Sequence, residues 1–321
     1  MSGNVLVLAE HIGGEVQEAT YELLGKAKEL AVALGGEVEV AAFGPASLAD
    51  QLGGADVVVS VDHPALAEYN PEAYEVALLS VLRERGPRLL LLSNATIGLD
   101  LGASLSVHWD ASLAAYVGAL QVDGDAVLAT AQVMGGKLHA EVELTGERGI
   151  CTVLAGAFPA SAGTAPAAGS EVVAFATPEG LDNVQTKLRS VIEPEAGDVN
   201  ITEADLLVSV GRGIESQENL EMVQELADLL GAPLSASRPI IDSGWLPKTR
   251  QVGKSGLKVK PKAYLAFGIS GAPEHLEGMR DAELIIACNT DESAPIFDVA
   301  HLGTTEDLFE LIPALADKVK G

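Results

Sequence analysis

Short, mostly apolar runs alternate with longer amphipathic segments through the first half of the chain, and this alternation restricts the possible folds more than any other feature. Asn4–Ala9 and Arg88–Ser93 have the length and composition of buried strands. Glu15–Leu34 and Pro71–Arg85 place apolar residues with the 3.6-residue period of a helix. The intervening segments predict strands at Glu37–Phe43 and Ala55–Val61, a short helix at Ser47–Leu52, and a helix from Asn94-Ala95-Thr96 to about Val107. This order predicts a parallel sheet with helices on both faces.

The pattern changes after Ala115. Three short strands are predicted, separated by Gly-Gly or Thr-Gly turns, at Ala126–Val133, Lys137–Leu144 and Ile150–Ala157. They indicate an antiparallel addition to the sheet. Thr177–Gly197, with its prolines and mixed charge, is the best candidate for a linker. We therefore expect two domains, residues 1–197 and residues 198–321.

A second α/β unit follows the predicted linker. Its elements are strands at Asp205–Val210, Ala263–Phe267 and Leu284–Asn289, and helices at Glu215–Leu230, from Pro273 and at Thr304–Lys318. Arg212, Ser270 and Asn289 stand at or just beyond the ends of these strands. Because the carboxyl ends of parallel strands form the ligand crevice of an open sheet, we expect the functional site here.

Size and charge exclude several classes of protein. At 321 residues, 48% of them apolar, the chain is long enough for about two domains of ~150 residues. A net charge of −26 disfavours binding to nucleic acid or anionic membranes. No apolar run reaches the ~18–20 residues of a membrane span, and the first predicted strand leaves no room for a targeting peptide. We expect a soluble, cytoplasmic protein.

The two cysteines predict neither a disulfide nor a metal site. Cys151 and Cys288 are far apart in sequence, lie in apolar runs and belong to no C-x-x-C pair. Two buried, reduced thiols are the simplest interpretation.

One segment contains no acidic residue although the protein is strongly acidic. This acid-free segment, residues 243–273, carries Lys248, Arg250, Lys254, Lys258, Lys260 and Lys262, with Arg238 just before it. It also contains two glycine turns, QVGKSG (251–256) and GISG (268–271). A strand, a glycine turn and a helix start together favour an anion site. The alternative is a lysine-rich loop that balances neighbouring acids.

Neither G-x-G-x-x-G nor G-x-x-x-x-G-K-[ST] occurs in the second domain, so common nucleotide motifs are missing. The segments that do occur are VGRGI (210–214), SASRPIIDSGW (235–245), RQVGKSG (250–256), YLAFGISGAPEHLEGM (264–279) and NTDESAPIF (289–297). Together they resemble the α subunit of electron transfer flavoproteins. VLVLAEH near the N-terminus and SNATIGLDLG (93–102) are similar to the first domain of that family, and the β-α order there resembles adenine-nucleotide α-hydrolase folds.

The resemblance implies a doubly wound, FAD-binding second domain and a set of cofactor contacts. It places Arg238 over the flavin ring, Ser255 near N5 and His275 near C2=O. The remaining implied contacts are Arg212, Ser237, Gln251, Val252, Gly253, Lys254, Ser270, Gly271, Ala272, Pro273, Glu274, Asn289, Asp307 and Leu308. Arg212 and Ser237 are assigned to the diphosphate, residues 270–272 to the phosphates or ribityl chain, and Asn289 with residues 307–308 to the adenosine half.

Electrostatics explains why a cation would be placed beside the ring. A flavin gains negative charge on reduction, and a cation ~4 Å away would favour that charge by up to ~4 kcal/mol at an effective dielectric near 20. The alternatives remain a surface ion pair for Arg238, an ordinary surface or core histidine for His275, and a first-turn helix acid for Asp307. Many relatives have Gln-Thr where this chain has Lys254-Ser255. The lysine adds a second cation near the ring or points to solvent.

The resemblance implies an electron carrier without bond chemistry on a substrate, so no catalytic residue is expected. Its partner would be a β subunit that carries AMP. Electrons would come from flavin dehydrogenases, such as the acyl-CoA dehydrogenases of fatty acid β-oxidation, and pass to a membrane-bound electron transfer flavoprotein–quinone oxidoreductase. A bifurcating or nitrogen-fixation-type relative that oxidises NADH with two FADs is the alternative.

Two further classes are remote. A stand-alone nucleotide-dependent enzyme would need a phosphate loop after the first strand, and residues 10–14 (EHIGG) are a poor substitute. A purely structural binding module would leave the acid-free segment without a role.

Overall fold

The computed structural model describes residues 3–134, 136–165, 169–190 and 199–321. Its contacts divide the chain into two compact units, Met1–Val191 and Ile192–Gly321, called here the N-terminal and C-terminal units. The predicted boundary between residues 197 and 198 lies outside the described residues, as does the end of the predicted linker.

Among its described residues, the N-terminal unit contains a large sheet, a separate two-stranded sheet formed by its second and third strands, and three α-helices. Its strands are β1 (Val5–Leu8), β2 (His11–Ile12), β3 (Glu15–Val16), β4 (Val38–Phe43), β5 (Val57–Val61), β6 (Leu89–Ser93), β7 (Ser112–Asp123), β8 (Ala126–Val133), β9 (Leu138–Leu144), β10 (Gly149–Val153) and β11 (Glu171–Ala174). The helices are α1 (Glu18–Leu34), α2 (Pro71–Arg85) and α3 (Thr96–His108). The segment predicted as a short helix near residue 47 is a 3₁₀ helix, Ala46–Gln51.

The nine-stranded sheet has the order β11-β5-β4-β1-β6-β10-β7-β8-β9. Strands β7, β8 and β9 are joined by antiparallel pairing, which confirms the predicted addition. One detail of the prediction was wrong: β10 pairs in parallel with both β6 and β7, so it belongs to the parallel part of the sheet. Chain order and turn composition cannot show that β10 inserts between two earlier strands.

Successive side chains of β1 alternate between the two faces of this sheet, and both faces are buried. Val5 and Val7 pack with α1, whereas Leu6 and Leu8 pack with α2 and α3 in a separate core cluster. Successive side chains of a strand point to opposite faces, so a wholly apolar strand requires cover on both. The helices on each side provide that cover.

The C-terminal unit is a smaller parallel sheet with helices on both faces. Its strands are β12 (Leu206–Val210), β13 (Leu234–Ala236), β14 (Ala263–Phe267), β15 (Leu284–Cys288) and β16 (Leu302–Thr304). Its helices are α4 (Leu220–Leu230), α5 (Arg238–Asp242), α6 (Pro273–Met279) and α7 (Leu308–Lys320). The order is β13-β12-β14-β15-β16, all parallel. The predicted α/β class of both units is confirmed.

Three predicted helix starts were wrong. Helix α1 begins at Glu18 rather than at Glu15, because Glu15 and Val16 form β3. Two 3₁₀ turns precede α4, which begins at Leu220 rather than at Glu215. Thr304 ends β16, and α7 begins four residues later because the Asp307 carboxylate accepts a hydrogen bond from the Phe309 N–H at 2.9 Å. Such an N-cap satisfies a backbone donor that the helix itself leaves unpaired.

The two cysteines are free and buried, as predicted. Burial raises the pKa of Cys151 to about 12 and that of Cys288 to about 11, so both stay protonated thiols at neutral pH. Within the described ranges, no helix combines the length and apolarity that crossing a membrane requires.

Candidate functional site

The carboxyl ends of the five strands of the C-terminal unit meet at one cavity of about 730 Å³. This volume lies within the ~300–1,000 Å³ range of small-molecule sites. The segments after β12, β13, β14 and β15 line it, together with the start of α7 and part of the acid-free segment. The cavity therefore lies where an open parallel sheet binds its ligand.

The structure brings nearly all the predicted contact residues together at this cavity. Pro273 is the exception, since it does not line the cavity. The lining residues from the predicted set are Arg212, Ser237, Arg238, Gln251, Val252, Gly253, Lys254, Ser255, Ser270, Gly271, Ala272, Glu274, His275, Asn289, Asp307 and Leu308. Their roles toward a cofactor stay predictions.

Other lining residues were missed by the sequence analysis. They are Gly213, Glu215, Pro239, Asp242, Gly268, Ile269, Cys288, Thr290, Glu306 and Phe309. Most are neighbours of predicted residues, and their position next to a strand end could have identified them. Glu215 carries no such signal, although its φ of 65° is unusual for a residue other than glycine.

Glycines allow the strand-end turns to pack against one another. A Cβ on Gly213 would lie 2.7 Å from Cα of Gly268, and a Cβ on Gly278 would lie 2.4 Å from the backbone nitrogen of Gly253. A Cβ on Gly271 would lie 2.2 Å from the backbone nitrogen of Ile296. Backbone segments at and next to the cavity are thus in close contact, which side chains would separate.

Three consecutive backbone donors at the cavity have no acceptor in the part of the chain that the structure describes. The N–H groups of Ser270, Gly271 and Ala272 make no hydrogen bond with any described residue. The predicted anion site also included the start of the following helix, but α6 has only seven residues. Anion binding here therefore depends on the turn's own N–H groups, which can donate to phosphate oxygens.

Arg238 is less isolated than the sequence suggested. It is the first residue of α5, and its Nε lies 3.2 Å from a carboxylate oxygen of Asp242, one helical turn later. The two side chains are 67% and 62% exposed. Arg238 therefore lines the cavity and also forms the surface ion pair that was the alternative interpretation. The Asp242 carboxylate weakens the positive field of the guanidinium.

Gln251 and Ser255 form a fixed pair. The buried Gln251 amide donates to Oγ of Ser255 at 2.8 Å, so the serine hydroxyl keeps its own proton for another acceptor. In the same turn, the backbone N–H of Lys254 donates to the Glu274 carbonyl oxygen at 2.7 Å. The ammonium group of Lys254 lies 3.9 Å from a carboxylate oxygen of Glu277, and its side chain is 43% exposed.

His275 is a buried histidine in the first turn of α6. Its Nε2 lies 3.0 Å from the Tyr264 hydroxyl, whereas its Nδ1 makes no hydrogen bond of regular geometry. Burial lowers the pKa of His275 to about 4, although an interaction with the backbone of Val252 partly raises this pKa. The imidazole is therefore neutral at neutral pH, with one donor and one acceptor nitrogen.

The polar side chains predicted for the adenosine half already have protein partners. The Asn289 amide donates to the Ile269 carbonyl at 2.9 Å, and its oxygen accepts from the Asp291 N–H at 3.0 Å. Asp307 caps α7. Both side chains hold the strand-end segments in place, and each retains acceptor capacity for a ligand hydroxyl.

These features fit a large anionic ligand with a polar ring system. Unpaired backbone N–H groups suit a diphosphate, and Arg212 and Arg238 supply cations at the same cavity. Ser255 and His275 add a hydroxyl and a neutral imidazole. Among the described residues no cluster of His, Cys, Asp and Glu is arranged to hold a metal ion.

Comparison with known proteins identifies the class to which this fold and site belong. Residues 5–179 match the model of the electron transfer flavoprotein domain. Residues 200–280 match that of the electron transfer flavoprotein FAD-binding domain, which contains most of the cavity lining.

Curated relatives narrow the class. The chain is 36% identical to the electron transfer flavoprotein subunit alpha of Clostridium acetobutylicum, over 98% of this chain and 96% of that protein. It is 35% identical to protein FixB of Azorhizobium caulinodans, over 98% and 88% of the two chains. It is 33% identical to the LctC subunit of the lactate dehydrogenase (NAD(+),ferredoxin) of Acetobacterium woodii, over 99% and 77%. The chain belongs to the electron transfer flavoprotein α-subunit family.

Proposed function

We propose that this chain is the FAD-carrying subunit of a two-subunit electron carrier. It would take electrons from flavin dehydrogenases such as acyl-CoA dehydrogenases and deliver them to a membrane-bound quinone oxidoreductase. The observation that carries the proposal is the convergence of Arg238, Ser255 and His275 on one cavity beside three unpaired backbone N–H groups. The matching FAD-binding family model supports it.

Each part of the cavity would have a distinct task. Bound FAD would supply one- and two-electron redox chemistry. Arg238 and Lys254 would favour negative charge on the ring, and the Ser255 hydroxyl, held by Gln251, would donate to a ring acceptor. The N–H groups of residues 270–272 would bind the diphosphate, and Asp307 would accept from ribose hydroxyls.

The partner in this proposal is a β subunit that carries AMP. Co-purification of the full chain with the product of its neighbouring gene, followed by nucleotide analysis, tests this composition. We expect one FAD and one AMP for each heterodimer. A heterodimer that contains AMP but neither retains nor takes up FAD would contradict the proposal.

A bifurcating or nitrogen-fixation-type carrier is the second candidate. It is favoured by the similarity to FixB and to LctC, the latter named as a subunit of an NAD(+)- and ferredoxin-linked enzyme. In such a carrier the β subunit would hold a second FAD instead of AMP. Two FADs for each heterodimer would therefore select this candidate over the first.

Replacing Lys254 tests whether this lysine, the second cation beside Arg238, acts on the flavin. Lys254→Gln should lower the midpoint potential of bound FAD by about 20–40 mV, because loss of a partly exposed charge costs about 0.5–1 kcal/mol and ~1.4 kcal/mol corresponds to 59 mV for one electron. Potentiometric titration of the heterodimer measures the shift. Lys258→Gln is the matched control, since Lys258 is 45% exposed and ion-paired but does not line the cavity. Equal potentials for wild type and Lys254→Gln would show that this lysine does not act on the ring.

Replacing Asp242 should change the flavin potential in the opposite direction to replacing Lys254. Asp242→Asn removes the carboxylate 3.2 Å from Arg238 and should raise the flavin potential by tens of millivolts. Asp281→Asn is the control, because Asp281 is also half-exposed and paired with a lysine, but lies outside the cavity lining. A lowered potential in Asp242→Asn would contradict the assigned effect of the ion pair.

A further inference from the structure

Two arginines line the cavity, and they differ in their contacts with acidic residues. Nε of Arg238 lies 3.2 Å from the Asp242 carboxylate. The guanidinium of Arg212 makes neither an ion pair nor a hydrogen bond with any residue that the structure describes. Glu215, three positions later, also lines the cavity, and within the described ranges its carboxylate has no partner either. Two opposite charges that are close in sequence therefore share one cavity without pairing.

The local helix would by itself bring these two side chains together. Arg212–Ile214 form a 3₁₀ helix, and the Glu215 N–H makes its last hydrogen bond, to the Arg212 carbonyl oxygen at 3.1 Å. Side chains three positions apart on a 3₁₀ helix lie directly above one another. A helical φ at residue 215 would therefore place its carboxylate over Arg212. Opposite charges one turn apart attract, as the pair of residues 238 and 242 in α5 illustrates.

Glu215 does not have a helical backbone. Its φ is 65° and its ψ is −45°, whereas a 3₁₀ helix has a φ near −60°. Because φ sets the direction of Cβ around the N–Cα bond, this difference turns the side chain away from the position above Arg212. The Ser216 N–H donates to the Ile214 carbonyl oxygen at 2.8 Å. Residues 214–216 thus form a γ-turn with a positive φ, which is a rare and strained conformation.

Neighbouring contacts hold the γ-turn in place. The side-chain amide of Asn219 donates to the Ile214 carbonyl oxygen at 2.9 Å, so this carbonyl accepts two hydrogen bonds. Ile214 is fully buried, and the Gly213 N–H donates to the Gly268 carbonyl oxygen at 3.0 Å. Strained backbone persists only where its surroundings fix it, and it is concentrated at functional sites.

We propose that Glu215 is a positioning residue whose γ-turn, held by Asn219, directs its own carboxylate away from Arg212 and so leaves the guanidinium available to an anionic group of the ligand. The unpaired N–H groups of residues 270–272 lie at the same cavity and suit the same group. The part of this inference that concerns FAD rests on the proposed function. The separation of the two charges does not, because it is a property of the chain alone.

Binding of inorganic diphosphate to the full-length chain prepared without flavin tests the separation directly. Asn219→Ala removes the hydrogen bond that holds the turn, so the carboxylate can relax toward Arg212 and compete with the anion. We expect diphosphate to bind about two- to fivefold more weakly, which is the effect of one exposed ion pair. Titration calorimetry measures the Kd. No binding to the wild-type chain, or equal Kd values for wild type and Asn219→Ala, would overturn the proposal.

A double-mutant cycle distinguishes the carboxylate from a general disturbance of the turn. In a Glu215→Gln background no carboxylate can pair with Arg212, so Asn219→Ala should weaken diphosphate binding much less. Glu218→Gln is the matched control background, because Glu218 is an exposed acid near the turn that does not line the cavity. The loss caused by Asn219→Ala should persist there. The same loss in both backgrounds would overturn the proposal.

Glycine at position 215 tests the strain. Glu215→Gly and Glu215→Ala both remove the carboxylate, but only glycine adopts a positive φ without steric cost. We therefore expect a higher urea midpoint for Glu215→Gly than for Glu215→Ala. An equal or lower midpoint would show that the turn is not strained and would overturn this part of the proposal.

The consequence for the cofactor is measured in the heterodimer. Asn219→Ala should weaken FAD binding by the same factor as diphosphate binding, and Glu215→Gln in the same chain should restore it. FAD binding that is unchanged in Asn219→Ala would overturn the extension to FAD. A heterodimer that takes up no FAD would instead contradict the proposed function, and the diphosphate titrations would still decide the charge separation.

Discussion

Replacing Gly271 by alanine is expected to destabilise the C-terminal unit by about 2–5 kcal/mol. The residue adopts a φ of 83°, and its added Cβ would lie 2.2 Å from the backbone nitrogen of Ile296. The left-handed backbone costs a residue with a Cβ about 1–2 kcal/mol, and overpacking against backbone adds about 1–3 kcal/mol. Urea unfolding of the full-length chain, followed by a signal from the C-terminal unit, measures the loss.

Gly244→Ala separates the cost of the left-handed backbone from the cost of overpacking. Gly244 has a φ of 73°, but no atom lies within 4 Å of its added Cβ. It should therefore lose only the backbone contribution of about 1–2 kcal/mol. Equal losses of unfolding free energy in the two variants would show that residue 296 leaves room for a Cβ at position 271.

Arg238→Ala should lower the midpoint potential of the bound flavin more than any other single change at the cavity. The ceiling is about 4 kcal/mol for a cation ~4 Å from the charge at an effective dielectric near 20. Exposure and the Asp242 carboxylate reduce it, so we expect about 1–2 kcal/mol, or ~40–85 mV for a one-electron couple. Potentiometric titration of the heterodimer gives the value.

Arg280→Ala is the matched control for this measurement. Arg280 belongs to the same unit and is exposed, but it does not line the cavity. Its removal should change the potential by much less. Equal shifts in the two variants would indicate a general effect of net charge and would contradict a specific role of Arg238.

Helices with explicit end signals were predicted well from the sequence. The bounds of α2 are those predicted, because Asn70 caps its start by accepting from the Ala73 N–H, Pro71 occupies its first position, and Gly86 ends it with a φ of 56°. The start of α4 was missed because the apolar period runs back through two 3₁₀ turns. The place of β10 was missed because pairing between distant strands leaves no local mark on the sequence.

The same limit applies to the site. Residues in local motifs, such as Gln251 and Ser255, could be named as candidates because the segment RQVGKSG resembles that of a known family. Tyr264 was read only as part of an apolar strand. Its partner Ser209 lies 55 positions away, and only the register of β12 and β14 brings the two together. Asp242 was missed because its effect depends on where the Arg238 side chain lies.

A crystal structure of the heterodimer with its flavin would test the placement of the cofactor most directly. The proposal predicts density for the isoalloxazine ring in the cavity at the strand ends of the C-terminal unit, in contact with Arg238, Ser255 and His275, and with the diphosphate on the N–H groups of residues 270–272. Flavin density elsewhere in the heterodimer, with this cavity filled by solvent, would contradict it.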